Sequence, residues 1–209
     1  MLAQVLDKII AFAARDDANL VRAREEWSEH AGRVFDDDPL YEERTVAFLE
    51  WFTLDRAGPD GRLPVQRFLA EERLDDLEGR WAHALGTSHR SLFEVRSLRD
   101  GALAVDDLLG GGAFEVTERR RLPGIAEGEI FEARLVANVV SPPQVLFTRA
   151  FQFHPREAVA ALKRQAAEAR AAGEARAETL FRLLRLRLKA LRYGHVAAAK
   201  IYAERDITP

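Results

Sequence analysis

Apolar residues recur at intervals of three and four positions at the start of the chain, which is the spacing of one buried helical face. The first such stripe consists of Leu2, Val5, Leu6, Ile9, Ile10 and Ala13. A second helix is predicted over about residues 18–35, with an apolar face made of Leu20, Trp27, Ala31 and Val34. The pattern therefore predicts that the chain begins with amphipathic helices.

A third helix is predicted to end near Leu54. Asp38 is expected to cap its free amides, and Pro39 to occupy its first position. This segment is apolar on nearly all sides, through Val46, Phe48, Leu49, Trp51 and Phe52. Such a helix is predicted to be central, and its aromatic residues to belong to the core rather than to a binding site.

Two shorter helices complete the first region. The run "AGPDGRLP" breaks the third helix, and Pro64 opens a short one. The next is marked by Leu74, Leu77, Trp81 and Leu85, with Gly86 as its stop signal. Residues 1–88 are therefore predicted to form a helical unit.

The hydrophobic period changes from 3.6 to 2 at about Ser91. "SLFEVRSL", "LAVDD", "AFEVTE", "EGEIFEARLVANVV" and "VLFTRAFQF" are predicted to be five strands, with an Asp-Gly turn between the first two. Five closely spaced strands commonly curl into a small barrel or a bent sheet, which removes exposed edges. Residues 89–155 are therefore predicted to form a β module.

The last region, residues 156–209, is rich in Ala, Leu, Arg and Glu, which favour helix. Gly173 is expected to kink this helix or to divide it into a hairpin, and a short terminal helix is predicted after "YGH". The whole pattern predicts an α+β fold: a helical N-terminal unit, a five-stranded barrel-like module, and a long C-terminal helix or helical hairpin packed on the rest.

Composition adds a charge asymmetry to this picture. The net charge is −3, yet residues 156–209 carry 12 Lys and Arg against 6 Asp and Glu, whereas the other residues carry 19 against 28. A basic tail on an acidic body indicates either pairing within the fold or an anionic partner. There is no cysteine, and no apolar run is long enough to span a bilayer. The chain is expected to be soluble and cytoplasmic.

No motif in the sequence predicts catalysis, a cofactor or a metal. The five histidines show no ligand pair, and Glu26, Glu29 and His30 fit an exposed charge cluster better than a metal site. The run "LLGGGAFEV" leads into a strand, so it is predicted to be a hairpin loop rather than a phosphate loop. The serines include no nucleophile elbow. The protein is therefore not expected to be an enzyme.

The most suggestive surface is a row of four cations in "LFRLLRLRLKALRY". Arg182, Arg185, Lys189 and Arg192 fall on one side of a helical wheel and form a candidate site for an anion or a partner. The apolar residues opposite them are Leu180, Phe181, Leu183, Leu184, Leu188 and Leu191. Three interpretations stay open: a solvated face of a core helix, a site for a protein, and a site for nucleic acid. A membrane-surface role is disfavoured because the core needs the apolar side.

Aromatic side chains of the β module offer a second candidate. Phe147, Phe151 and Phe153 are predicted to share one strand face with Val145. Together with Phe93 they could stack on bases. An unbroken apolar row of this kind more commonly faces a core, so the core interpretation is preferred.

A family resemblance spans about residues 45–137. "FLEWFTLDRAGPDGRLPVQRFL", "SLFEVRSLRDGALAVDDLLGGGAFEVTERR" and "EGEIFEARLV" resemble a group of uncharacterised bacterial proteins, many of which end in a SEC-C zinc-binding tail. "RYGHVAAAKIY" is similar to their C-terminal end. This chain lacks the cysteines of that tail, so the resemblance implies the β module and no zinc site or activity.

These observations predict a non-catalytic binding or adaptor protein of the bacterial cytoplasm, which uses the basic helix, the barrel rim or both. The alternative is a nucleic-acid-binding protein that uses the small barrel and the basic C-terminal helix.

Overall fold

A computed structural model of the protein describes residues 1–118, 120 and 125–204. The helices are α1 (Leu2–Ala13), α2 (Asp17–Ala31), α3 (Tyr41–Leu54), α4 (Pro64–Glu71), α5 (Asp76–Gly86), α6 (Val159–Ala172), α7 (Arg176–Arg192) and α8 (Ala198–Ile201). The strands are β1 (His89–Arg99), β2 (Ala102–Asp107), β3 (Ala113–Thr117), β4 (Ile130–Ala137), β5 (Val145–Phe147) and β6 (Gln152–Phe153). The fold is α+β, as the change of hydrophobic period predicts.

The strands form one sheet in the order β1-β2-β3-β5-β4-β6, and an additional pairing between β1 and β4 closes five of them into a barrel. Strands β1, β2 and β3 follow one another as antiparallel hairpins. Strand β4 returns to lie beside β1, which makes the connection a Greek key. The prediction of a small five-stranded barrel is confirmed.

The predicted fifth strand is wrong in one respect, because it is two strands rather than one. After β5 the chain leaves the ladder, and the backbone amides of Arg149 and Ala150 donate to the Glu50 carboxylate at 3.3 and 3.1 Å. A backbone that bonds to a side chain cannot also continue a ladder. The register of Phe147 and Phe153 is therefore not that of one strand.

Three predictions between α2 and α3 are also wrong: the end of α2 near residue 35, the cap at Asp38 and the start of α3 at Pro39. Helix α2 ends at Ala31 because Gly32 adopts a φ of +86°, a left-handed conformation that suits glycine and ends helices. Asp38 accepts a hydrogen bond from the Phe35 amide at 2.8 Å and so closes a turn ahead of α3 instead of capping it. Helix α3 begins at Tyr41, two residues beyond Pro39.

The chain divides into two compact units that cut across the predicted segments. Unit 1 comprises Met1–Ser28, Val34–Arg90 and Arg134–Phe151, and unit 2 comprises Glu29–Arg33, Ser91–Ala133 and Gln152–Pro209. The division passes through the β module, because strand β4 enters unit 1 at Arg134. Continuity along the sequence therefore does not define the units.

The core of unit 1 includes aromatic residues of α3. Trp51 and Phe52 are 6% and 0% exposed, and the Trp27 ring lies 5.2 Å from the Trp51 ring. Helices α1, α4 and α5 form a second cluster in the same unit, where the Phe12 and Phe68 rings meet edge-on at 5.6 Å. The interpretation of the α3 aromatics as core residues is confirmed.

The core of unit 2 lies around α6 and α7. Gly173, with a φ of +66°, separates these helices, so it divides the predicted helix into a hairpin. Most of the predicted apolar stripe of α7 is buried, but Leu191 is 40% exposed because it lies in the last turn of that helix. Within the described part of the chain, no helix combines the length and the apolar character that a bilayer crossing requires.

Candidate functional site

The basic row lies along α7 in unit 2, and two of its members form ion pairs there. Arg182 bonds to Glu174, and the side chains are 21% and 24% exposed. Lys189 Nζ lies 2.5 Å from Glu204 Oε2. These pairs connect α7 with the loop that precedes it and with the residues after α8, so part of the positive charge is neutralised inside the unit.

The other two members of the row donate to backbone oxygens. Arg185 donates to the carbonyl of His30, and Arg192 Nη2 donates to the carbonyl of Arg33 at 2.8 Å. Burial lowers the pKa of Arg185, and the charge of Arg182 lowers it further. These bonds attach residues 29–33 to α7. The structure brings the whole row together on one face, and its use as an anion or partner site stays a prediction.

The aromatic residues of the β module are part of the interior. Phe93 is fully buried, and its ring lies 6.2 Å from that of Phe131. Phe147 and Phe151 are 3% and 9% exposed and pack edge-on at 5.4 Å. Phe153 is half-buried against Phe131 at 5.3 Å. Buried rings cannot stack on bases, so the core interpretation is confirmed for Phe93, Phe147 and Phe151.

The glycine run forms the β2–β3 hairpin loop, as predicted. Asp107 Oδ1 accepts the amides of Leu109 and Gly110 at 3.0 and 2.8 Å and the Ser91 hydroxyl at 2.5 Å. A carboxylate of the protein therefore takes the amides that a phosphate loop offers to its ligand. The loop is closed around Asp107.

A buried histidine–tyrosine pair, which no sequence motif marks, lies in unit 2. His154 Nδ1 lies 2.8 Å from the Tyr202 hydroxyl, and the two residues are 4% and 0% exposed. Burial lowers the pKa of His154 to about 3, with a smaller contribution from the charge of Arg187, and burial raises the pKa of Tyr202. Both groups are neutral at pH 7. The pair attaches the residue after α8 to the interior.

Unit 1 contains a buried charge cluster on α3 and β4. Arg134, 2% exposed, forms an ion pair with Asp55, and its Nε lies 3.7 Å from Glu50 Oε2. Glu50 also accepts a hydrogen bond from the Thr148 hydroxyl at 2.7 Å. Burial raises the pKa of Glu50, against the opposing charge of Arg134. Glu50 and Arg134 are both 2% exposed whereas Asp55 is exposed, and the cluster joins α3 to the chain segment after β5.

An open concavity lies on the outer face of strands β1, β2 and β3 in unit 2. It measures about 230 Å³ and is lined by Arg96, Ser97, Arg99, Ala102, Ala104 and Glu115. We call it the barrel trough. It lies beside the Asp-Gly turn between β1 and β2, where Gly101 has a φ of +71°.

Strand register explains the shape of the barrel trough. Ser97 pairs with Ala104, and Ala104 pairs with Glu115, so these three residues share one face of the sheet. Alanine on the middle strand leaves a low floor between longer side chains on β1 and β3. A register shift between Val95 and Ser97 adds Arg96 to the same wall.

The two walls of the barrel trough differ in charge. Arg96 and Arg99 line the β1 side, and Glu115 lines the β3 side. Arg96 is 49% exposed and its Nε lies 3.1 Å from Asp106 Oδ1, which holds the guanidinium in place. No sequence motif marks these lining residues, because the strand register that brings them together is not visible in the sequence.

The histidines and carboxylates do not assemble into a metal centre in the part of the chain that the structure describes. Glu26, which the sequence places near His30, forms an ion pair with Arg56 at 2.6 Å. The His30 ring stacks on Phe181 at 5.0 Å. Glu26 therefore serves ion pairing in unit 1, and His30 serves packing in unit 2.

The fold and the barrel trough define an α+β protein with a small closed Greek-key barrel. Residues 25–150, more than half of the chain, match the sequence model of a family of unknown function, DUF7986, and the chain belongs to that family. No curated protein and no solved structure matches the chain. The resemblance to SEC-C-associated proteins stays a prediction.

Proposed function

We propose that this protein is a non-catalytic binding or adaptor protein that holds a segment of a partner protein in the barrel trough. The observation that carries the proposal is the open, charged concavity formed by the outer faces of β1, β2 and β3. We propose that the protein acts in the bacterial cytoplasm, the compartment that the sequence predicts.

The size of the trough supports surface binding rather than enclosure of a substrate. Its volume of about 230 Å³ lies below the roughly 300–1,000 Å³ of pockets that bury a small molecule. A short piece of a larger partner can enter such a depression while the rest of the partner stays outside. This is the behaviour expected of a binding protein.

The charges of the trough favour a protein partner over nucleic acid. A phosphate backbone is attracted by arginines but repelled by carboxylates. Glu115 lines one wall, and Asp106 is the ion-pair partner of Arg96 on the other. A protein segment can present both signs of charge to these walls, whereas a nucleic acid strand presents only one.

Binding of single-stranded nucleic acid is the second candidate, and the barrel topology favours it. Five-stranded Greek-key barrels of the OB type bind oligonucleotides on the face of strands 2 and 3 and at the loop between strands 1 and 2. The barrel trough occupies the corresponding position, and the basic row of α7 would supply further cations. This candidate predicts affinity that falls steeply with added salt.

The proposal is tested by filling the trough. We expect Ala104→Phe to abolish the recovery of a specific partner polypeptide from the source cell, because the new ring occupies the floor. Ala167→Phe, at an exposed position of α6, adds the same ring elsewhere and is the matched control. The lysate is treated with nuclease, and the partner is then purified and its affinity measured against both variants.

Loss of affinity in Ala104→Phe alone supports the proposal. Equal binding by both variants contradicts it, as does a partner that disappears from the wild-type sample after nuclease treatment. Both variants are checked by circular dichroism, so that unfolding is not mistaken for a lost site.

A further inference from the structure

The opposite charges on the two walls of the barrel trough identify the chemistry of its partner. Strand β2 forms the floor through Ala102 and Ala104, and neighbouring strands lie about 4.8 Å apart, so the walls on β1 and β3 are about 10 Å apart. The β1 wall carries two arginines, Arg96 and Arg99, against one carboxylate, Asp106, which is paired with Arg96. The β3 wall carries Glu115. The trough is thus polarised across its width.

An extended peptide matches this polarity. Successive side chains of an extended chain point in opposite directions, and each residue advances it by about 3.3 Å. A floor bounded by Ala102 and Ala104 therefore accommodates about two or three residues of a segment that runs parallel to β2. Two neighbouring residues of that segment would face opposite walls.

Resting on the proposed function, we propose that the barrel trough binds an extended peptide segment in which two neighbouring residues carry opposite charges. The acidic residue faces Arg96 and Arg99, and the basic residue faces Glu115. The small floor residues let the peptide backbone approach β2 closely. A segment with two like charges places one of them against a wall of the same sign.

The test uses four capped peptides with Gly-Ser flanks and the central pairs Glu-Lys, Glu-Glu, Lys-Lys and Gln-Gln. They are titrated into the ¹⁵N-labelled full-length protein. We expect Glu-Lys to shift the amide signals of Ala102, Ala104 and Glu115. We also expect it to bind about fivefold more tightly than Gln-Gln, the gain from two exposed charge pairs.

Reversing the charge of one wall should change which peptide binds most tightly. Glu115→Arg makes both walls cationic, so the variant should prefer the Glu-Glu peptide. Arg99→Glu weakens the part of the trough that binds the acidic residue of the peptide. This variant should therefore lose the preference for the Glu-Lys peptide. Glu127→Arg makes the same change in charge at an exposed residue that does not line the trough, and it should behave as the wild type.

Equal binding of all four peptides overturns the inference, as does a switch of preference in Glu127→Arg. Stronger shifts of the same amides by an oligothymidine than by any peptide overturn it in favour of nucleic acid. If Ala104→Phe still abolishes binding of the natural partner while the peptides show no preference, this inference fails and the proposed function stands. If Ala104→Phe leaves the partner bound, both fail.

Discussion

His154 and Tyr202 share a hydrogen bond inside unit 2, with 2.8 Å between the imidazole Nδ1 and the phenol oxygen. The two residues are far apart in sequence, and the bond attaches the C-terminal helix α8 to the end of the β module. Gln165 adds a second bond to the backbone oxygen of Tyr202. The interior of unit 2 therefore depends on the last described residues of the chain.

Tyr202→Phe should lower the free energy of unfolding by about 1–2 kcal/mol, because it leaves the buried His154 Nδ1 without its partner. Urea unfolding followed by circular dichroism measures this change. Tyr193→Phe removes a hydroxyl from a residue that is 50% exposed and should be nearly neutral. Equal losses in the two variants would show that the buried bond contributes nothing.

Stability should fall as the solution is acidified from pH 6.5. The pKa of His154 is lowered from 6.5 to about 3, so the unfolded chain takes up a proton over this range while the folded protein does not. The group therefore destabilises the fold progressively below pH 6.5, by up to about 1.4 kcal/mol per pH unit. The free energy of unfolding, measured by urea unfolding at several pH values between 7 and 5, should change less with pH for His154→Gln than for the wild type. An unchanged pH dependence would mean that another group titrates.

Glu50→Ala should destabilise unit 1 by about 3–5 kcal/mol, because it breaks a buried ion pair and frees the amides of Arg149 and Ala150. Glu71→Ala removes a carboxylate from the exposed pair with Arg67, at 3.3 Å, and should change stability by less than about 0.5 kcal/mol. Chemical denaturation of both variants provides the comparison. A small loss in Glu50→Ala would indicate that water replaces the carboxylate.

Two glycine-to-alanine changes should have opposite effects. A Cβ at Gly110 would lie 2.2 Å from Asp107 Oδ2, so Gly110→Ala should disrupt the β2–β3 loop and lower the melting temperature. A Cβ at Gly79, inside α5, meets nothing within 4 Å, so Gly79→Ala should stabilise the protein by about 0.5–1 kcal/mol. Tolerance of Gly110→Ala would contradict the role of Asp107.

Replacing Arg182, Arg185, Lys189 and Arg192 together by Ala should lower stability, because each side chain bonds within unit 2. Loss of the Arg185 bond alone should amount to about 1 kcal/mol. Arg22→Ala, at an exposed position of α2, is the control. If the fourfold variant keeps its stability but loses affinity for heparin, the row is an anion site rather than a structural one.

Local periodicity was sufficient to predict the types of elements. The change of period near Ser91 marks the boundary between α5 and β1, and Gly173 marks the boundary between α6 and α7. Both signals are local, since hydrophobic spacing and the conformational freedom of glycine act over a few residues. The predicted N-cap of α3 was wrong, because Asp38 accepts the Phe35 amide and closes a turn ahead of that helix.

Such local signals could not predict the candidate site. Arg99 and Glu115 appear in the sequence as ordinary exposed residues of two strands, and only cross-strand register makes them opposite walls over an alanine floor. The same holds for the buried pair of His154 and Tyr202, which lie 48 positions apart.

The sequence by itself determined that this is an α+β protein with helices before and after a small five-stranded barrel, because hydrophobic period sets element type locally. Tertiary structure alone decided which side chains meet. The contacts of Glu50 depend on packing between segments that are distant in sequence. The walls of the barrel trough depend on strand register, and no local sequence pattern encodes either feature.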